Sequence, residues 1–133
     1  MDFLTEGSVT TPAGFVAGVA ASGIKDDSLD VAVLYSQQAC AAAAVFTRNQ
    51  VVAAPVIVDR QTMAVNNSRM HAVVANSGNA NACTGAQGLQ NARQMQVTTA
   101  DLLGCDAGQV LVLSTGVIGV QLPMTKVTDG ITQ

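Results

Sequence analysis

The sequence predicts an α+β domain in which helices pack in layers on a mixed β-sheet. Short β-branched, apolar runs come first, and a strand–helix–strand–helix order follows them. Hydrophobic residues make up 49% of the chain but aromatic residues only 3%, so small side chains let the layers approach closely. The 133 residues show no internal repeat and no linker, and their number fits a single domain, 1–133.

Strands are predicted in the first third of the chain. Phe15–Ala21 and Asp30–Ser36 are apolar and β-branched, and a polar turn separates them. Ala39–Thr47 is predicted as a further antiparallel strand, because it ends in Val-Phe-Thr and follows the previous strand closely. Its alanines make a helix the alternative.

The middle of the chain predicts a helix, a strand and a polar loop. Val51–Ala64 is interpreted as a helix with Pro55 in its first turn, although its Val-Ile-Val run also suits a strand. Met70–Ala75 is a short apolar strand. It runs into Asn76–Gly85, which is rich in Asn and Gly.

The last third predicts helix, strand and helix. Thr84 and Gln87 have the spacing of a capping box, and Gly104 stands where a helix C-terminal glycine belongs. Val110–Ser114 is a strand. Pro123 begins a final helical segment that reaches Gly130.

Charge and cysteine content exclude several classes of protein. Charged residues are only 11% of the chain and the net charge is −3, which predicts a surface covered by another chain and no nucleic acid partner. No apolar run is long enough for a membrane span. Three cysteines without a Cys-x-x-Cys spacing, and the acidic start Met1–Glu6, favour a cytoplasmic protein without a secretory signal.

The usual catalytic constellations are absent from the sequence. His71 is the only histidine, no metal-binding or cofactor motif occurs, and no pair of carboxylates has acid–base spacing. We therefore expect no metal and no bound cofactor. What remains is a pair of polar, uncharged loops, each of which follows a strand.

Thr115 and Gly116 stand where the strand Val110–Ser114 ends, a place where backbone N–H groups can hold an oxyanion. In the other loop, Asn76, Asn79 and Asn81 are candidate substrate-binding residues, because amides can clamp carbonyl and carboxylate groups. Such amides can also hold a neighbouring loop. The alternative is a rigid structural loop whose amides satisfy each other. With many donors and no nucleophile or base, the two loops resemble half of a site.

Five motifs, in this order and spacing, resemble the N-terminal part of the ornithine acetyltransferase (glutamate N-acetyltransferase) family of arginine biosynthesis. They are Gly7-Ser-Val-Thr-x-Pro-x-Gly-Phe, Val45-Phe-Thr, Ala53-Ala-Pro-Val, Asn76-Ser-Gly-Asn-Ala-Asn-Ala-Cys-Thr-Gly, and Ser114-Thr-Gly-Val-Ile-Gly with Leu122-Pro-Met. The similarity extends from Gly7 to the end of the chain.

The resemblance implies a self-cleaving precursor that yields an α chain and a β chain, assembled as an α2β2 heterotetramer. The N-terminal threonine of the β chain takes acetyl from N²-acetylornithine and passes it to glutamate; some members also use acetyl-CoA. By the same resemblance, Thr115 and Gly116 form the oxyanion hole.

In this family the α chain continues beyond Gln133 to the cleavage site. We therefore expect this chain to be an incomplete α-chain portion that does not catalyse transfer alone. Two alternatives stay open: a non-catalytic interaction module derived from the family, and a related self-processing amidohydrolase that uses water as the acceptor.

Overall fold

A mixed four-stranded sheet with helices packed on one face forms the frame of the protein, as the sequence predicts. The computed structural model describes residues 6–133, so almost all of the acidic start Met1–Glu6 lies outside the described residues. The elements are β1 (Phe15–Ala20), β2 (Val31–Cys40), α1 (Ala54–Asn66), β3 (Met70–Asn76), α2 (Gly85–Leu103), a 3₁₀ turn (Ala107–Gln109), β4 (Val110–Ser114) and α3 (Met124–Thr132).

The sheet has the strand order β1-β2-β3-β4. The first three strands are antiparallel neighbours, whereas β3 and β4 run parallel with Asn76 beside Ser114. Parallel strands need a crossover connection, which α2 supplies. The carboxyl ends of β3 and β4 therefore meet at one edge of the sheet, where both polar loops begin.

The hydrophobic core lies between one face of the sheet and all three helices. Strand residues Val74, Val110 and Val112 are fully buried there, and Met95 of α2 and Val127 of α3 pack in the same cluster. Alternate residues of β3 are buried and half-buried, which matches the two-residue period of a strand. Within residues 6–133, no helix has the length and apolar character needed to cross a bilayer.

The opposite face of the sheet is also apolar but is far less buried. Val19 is 61% exposed and Leu113 is 53% exposed. Cross-strand pairing places these side chains on the same face as Ala17, Ala32, Leu34, Val73, Ala75 and Leu111. Burial of this face against another chain stays a prediction.

The predicted strand Ala39–Thr47 is wrong. β2 continues to Cys40, and residues 41–49 have no regular structure. Both edges of β2 already pair with β1 and β3, so no edge beside β2 is left for another strand. In the described segment, Val45 is 99% exposed.

The helix predictions are confirmed except for one cap. α1 has a proline in its first turn, and α3 begins after Pro123. Gly104 ends α2 in the left-handed conformation, with φ +67°. The capping box is wrong, because no side-chain hydrogen bond of Thr84 caps α2; its hydroxyl donates to Asn81 Oδ1 (2.6 Å).

Asp30 organises the turn between β1 and β2. Its carboxylate is only 3% exposed and accepts hydrogen bonds from the backbone N–H groups of Ser22, Ile24 and Lys25 and from the Ser22 hydroxyl. Burial raises the pKa of Asp30, but these four hydrogen bonds outweigh it and hold the pKa at about 2, below the ordinary 3.8.

We predict that Asp30→Asn lowers the free energy of unfolding at pH 7 by about 2 kcal/mol, because the amide offers one acceptor where the carboxylate offers two. The depressed pKa stabilises the unsubstituted protein above about pH 4, and this contribution is lost as pH falls towards 2. Urea unfolding across that range measures it. Asp26→Asn, exposed in the same turn, is the control; equal stability of the two variants would contradict the prediction.

Candidate functional site

Thr115 and Gly116 follow β4 directly and are exposed at the carboxyl edge of the sheet. The backbone N–H of Thr115 donates to the Asn76 carbonyl (3.1 Å), which extends the pairing of β3 and β4. Within residues 6–133, the Thr115 hydroxyl and the Gly116 N–H have no hydrogen-bond partner. Thr115 can therefore offer a ligand only its side-chain donor, whereas Gly116 offers its backbone donor.

The position of Gly116 accepts no other residue without rearrangement. Its φ is +129°, and a Cβ atom built there would lie 2.3 Å from the Gly78 carbonyl carbon and 2.5 Å from Asn79 N. The backbones of the two loops are therefore in direct contact. This approach fixes the direction in which the Gly116 N–H points.

Hydrogen bonds join the two loops along their length. The Val117 N–H donates to the Gly78 carbonyl (3.2 Å), and the Ala80 N–H donates back to the Val117 carbonyl (2.8 Å). Beyond them, the Gly119 N–H donates to Ala82 (3.0 Å). The Asn/Gly loop (residues 76–85) thus fixes the backbone of the Thr-Gly loop (residues 115–119) through these hydrogen bonds.

Ser114 links the same loops through its side chain. Its hydroxyl oxygen accepts the Asn81 N–H (2.8 Å) and donates to the Asn79 carbonyl (3.2 Å). The sequence pattern alone did not indicate that this serine positions the loops. The available signal was its place before Thr115, opposite an Asn-rich loop.

The three candidate asparagines have buried side chains whose amide nitrogens donate to backbone carbonyls. Asn76 binds the Asn79 carbonyl (2.8 Å), Asn79 the Val120 carbonyl (3.0 Å), and Asn81 the Gly88 carbonyl (2.8 Å). The three amides therefore bind their own loop, the neighbouring loop and α2, respectively, rather than one another. A substrate contact by any of the three stays a prediction.

Two charged residues reach this edge, because the Lys25 side chain packs against Gly78 and Asp30 borders a cavity that Thr115 also lines. The one histidine lies away from it. His71 is at the opposite end of β3, where its Nδ1 lies 3.0 Å from the Ser36 carbonyl and its ring stacks on Tyr35. No group of His, Cys, Asp and Glu in the described part of the chain could hold a metal ion. The free groups that Thr115 and Gly116 offer at this edge are a hydroxyl and a backbone N–H.

The sequence pattern of the ArgJ family matches residues 16–133. The chain belongs to the ArgJ family. It is 46% identical over 128 residues to the arginine biosynthesis bifunctional protein ArgJ of Caldanaerobacter subterraneus, covering 96% of this chain and 31% of the relative. The ArgJ protein of Symbiobacterium thermophilum is 51% identical, with 94% and 31% covered. The chain thus spans about a third of these relatives.

Two solved structures share the ArgJ fold seen here. The ArgJ protein of Bacillus halodurans aligns with a TM-score of 0.92 and 41% identity, covering 96% of this chain and 66% of that one. The ornithine acetyltransferase of Mycobacterium tuberculosis, solved in complex with ornithine, aligns at 0.88 and 44%, with 93% and 67% covered. The family resemblance and the fold class are confirmed.

The adjacent hydroxyls of Ser114 and Thr115 provide a matched test of the loop support. We predict that Ser114→Ala lowers the free energy of unfolding by about 1–3 kcal/mol, because it leaves the Asn81 N–H without its acceptor. Thr115→Ala should change it by less than about 0.5 kcal/mol, since the exposed hydroxyl makes no internal bond. Urea unfolding of both variants measures the difference, and equal losses would contradict the described role of Ser114.

Proposed function

We propose that this chain is the α-chain portion of an acetyltransferase that moves acetyl from N²-acetylornithine to glutamate in arginine biosynthesis. The proposal rests on two free donors, the Thr115 hydroxyl and the Gly116 N–H. They are adjacent on a loop whose backbone is packed against and hydrogen-bonded to the Asn/Gly loop. Membership of the ArgJ family and the names of its relatives support the substrate class.

The chemistry explains why such donors are needed. A threonine hydroxyl attacks the acetyl carbonyl, and negative charge gathers on the carbonyl oxygen as a tetrahedral intermediate forms. Donation from Thr115 and Gly116 stabilises that oxyanion. Collapse of the intermediate breaks the amide bond and leaves acetyl-threonine, while the proton lost by the threonine hydroxyl leaves on the amine of ornithine. The amine of glutamate then attacks the acetyl group, and a second oxyanion is held in the same place. Its collapse breaks the ester bond, releases N-acetylglutamate, and returns the amine's proton to the threonine hydroxyl.

The proposed reaction also needs a nucleophile beside the two donors. We propose that it is the N-terminal threonine of a β chain released by self-cleavage, in a cytoplasmic α2β2 assembly. The apolar sheet face around Leu113 and Val19 and the low charge of 11% support burial against that chain. Acetyl transfer between these substrates requires no metal or bound cofactor, and acetyl-CoA is an additional acetyl donor to test.

The proposal is tested in a completed protein, in which these 133 residues replace the matching third of the Symbiobacterium thermophilum relative. We expect it to transfer acetyl from N²-acetylornithine to glutamate, with an acetylated N-terminal threonine visible by mass spectrometry. The 133-residue chain alone should give no transfer. Absence of transfer by the completed protein would contradict the proposed function.

Within the completed protein, Thr115→Ala should lower kcat by about 10²–10³-fold, the usual cost of removing one oxyanion donor. Thr115→Ser keeps the hydroxyl and should retain most of the activity. Because the stability of Thr115→Ala is expected to be unchanged, the loss would report on chemistry. Full activity of Thr115→Ala would show that the Thr115 hydroxyl is not an oxyanion donor.

A further inference from the structure

The outer edge of β4 has no neighbouring strand among the described residues, yet two of its backbone groups are hydrogen-bonded. The Val110 carbonyl accepts from Gln96 Nε2 of α2 (2.7 Å), and the Val112 N–H donates to Asp59 Oδ1 of α1 (2.9 Å). Helix side chains therefore occupy the place of a fifth strand. The sequence pattern alone indicated neither Gln96 nor Asp59.

These side chains also join the two helices to each other. Gln96 Nε2 lies 2.9 Å from Thr62 Oγ1, three residues after Asp59 on α1. Asp59, Thr62 and Gln96 are all buried, at 6%, 8% and 7% exposure. Among the three, only Asp59 carries a charge, and only Asp59 holds a backbone N–H of β4.

The surroundings of Asp59 give its charge little compensation. It borders a cavity of about 440 Å³ whose other lining residues are uncharged and mostly apolar, with Phe46 and Leu111 among them. Arg60, its neighbour on α1, instead reaches the Thr47 carbonyl and lies over the Phe46 ring. Arg93 of the facing helix α2 donates to Gln61 (3.2 Å).

Burial is the main cause that shifts this carboxyl. It raises the pKa of Asp59 to about 6, even though the hydrogen bond from Val112 acts in the opposite direction. A buried carboxylate without a counter-charge costs stability, which a neutral side chain would avoid. What the charge supplies is a stronger hydrogen bond to the strand, because charge-assisted bonds are shorter and stronger than neutral ones.

We propose that Asp59 is a positioning residue for the oxyanion hole, holding β4 through Val112 and so fixing Thr115 and Gly116 at the end of the same strand. Val112 lies only three residues before Thr115, and the intervening backbone is strand until Ser114. The Asn/Gly loop holds the other side of this segment, so Asp59 completes its support. The role in activity rests on the proposed function.

Protonation of Asp59 replaces the charged acceptor with a neutral one and loosens the hold on β4. In the 133-residue chain, we expect the amide resonances of Val112, Thr115 and Gly116 to shift together between about pH 5 and 7. Asp59→Asn keeps an acceptor but does not titrate, so all three shifts should disappear. Movement of Val112 alone, or persistence of the shifts in Asp59→Asn, would overturn the proposal without reference to activity.

In the completed protein, kcat should fall as pH drops through 6, and Asp59→Asn should remove that step while KM for N²-acetylornithine stays the same. Asp59→Ala leaves the Val112 N–H unpaired and should lower kcat about tenfold at every pH. The control is Thr62→Val, which breaks a buried contact on the same helix face but leaves the β4 edge intact. It should keep the pH step.

The two proposals fail differently. An unsubstituted completed protein without acetyl transfer contradicts the proposed function, whereas the amide shifts still test Asp59. Two results would overturn the role of Asp59 alone. One is a fall in kcat below pH 6 that persists in Asp59→Asn. The other is a loss of kcat in Asp59→Ala that is no larger than the loss in Thr62→Val.

Discussion

The direct backbone contact between Gly78 and Gly116 is the constraint on which the candidate site depends. No side chain separates the two loops at that point, so the positions of Thr115 and Gly116 follow from the path of residues 76–82. The parallel pairing of β3 and β4 brings the loops together, and the Ser114 hydroxyl joins them across the edge of the sheet. The Gly116 N–H, one of the two proposed oxyanion donors, is consequently preorganised by backbone geometry, which suits electrostatic stabilisation of a transition state.

This way of building a site explains the unusual composition. Asn, Gly and Ser supply hydrogen bonds without charge, so the edge of the sheet can stay polar while the rest of the molecule is rich in Ala and Val. Asp59 is the exception, a charge held in apolar surroundings against the strand that leads to the site. The exposed apolar sheet face agrees with the proposed second chain.

Local pattern predicted most of the fold, because β1, β3, β4 and the three helices each follow from residue type and spacing over a short window. The errors came from long-range effects. No free edge beside β2 was available to Ala39–Thr47. The Thr84 side chain makes no capping hydrogen bond to α2 and donates to Asn81. The motifs indicated Thr115 and Gly116, but which atom of each is free depends on the register that pairs Thr115 N–H with Asn76. Asp59 was beyond prediction, since its burial arises only when α1 packs on β4.

The central claim is that the Asn/Gly loop holds the Thr-Gly loop in place and leaves one backbone donor free. Residue-specific amide hydrogen exchange of the 133-residue chain tests it most directly. The account predicts protected N–H groups at Thr115, Val117 and Gly119, whose bonds hold the loops together, and rapid exchange at Gly116 between them. Protection at Gly116, or equally rapid exchange at all four positions, would contradict it.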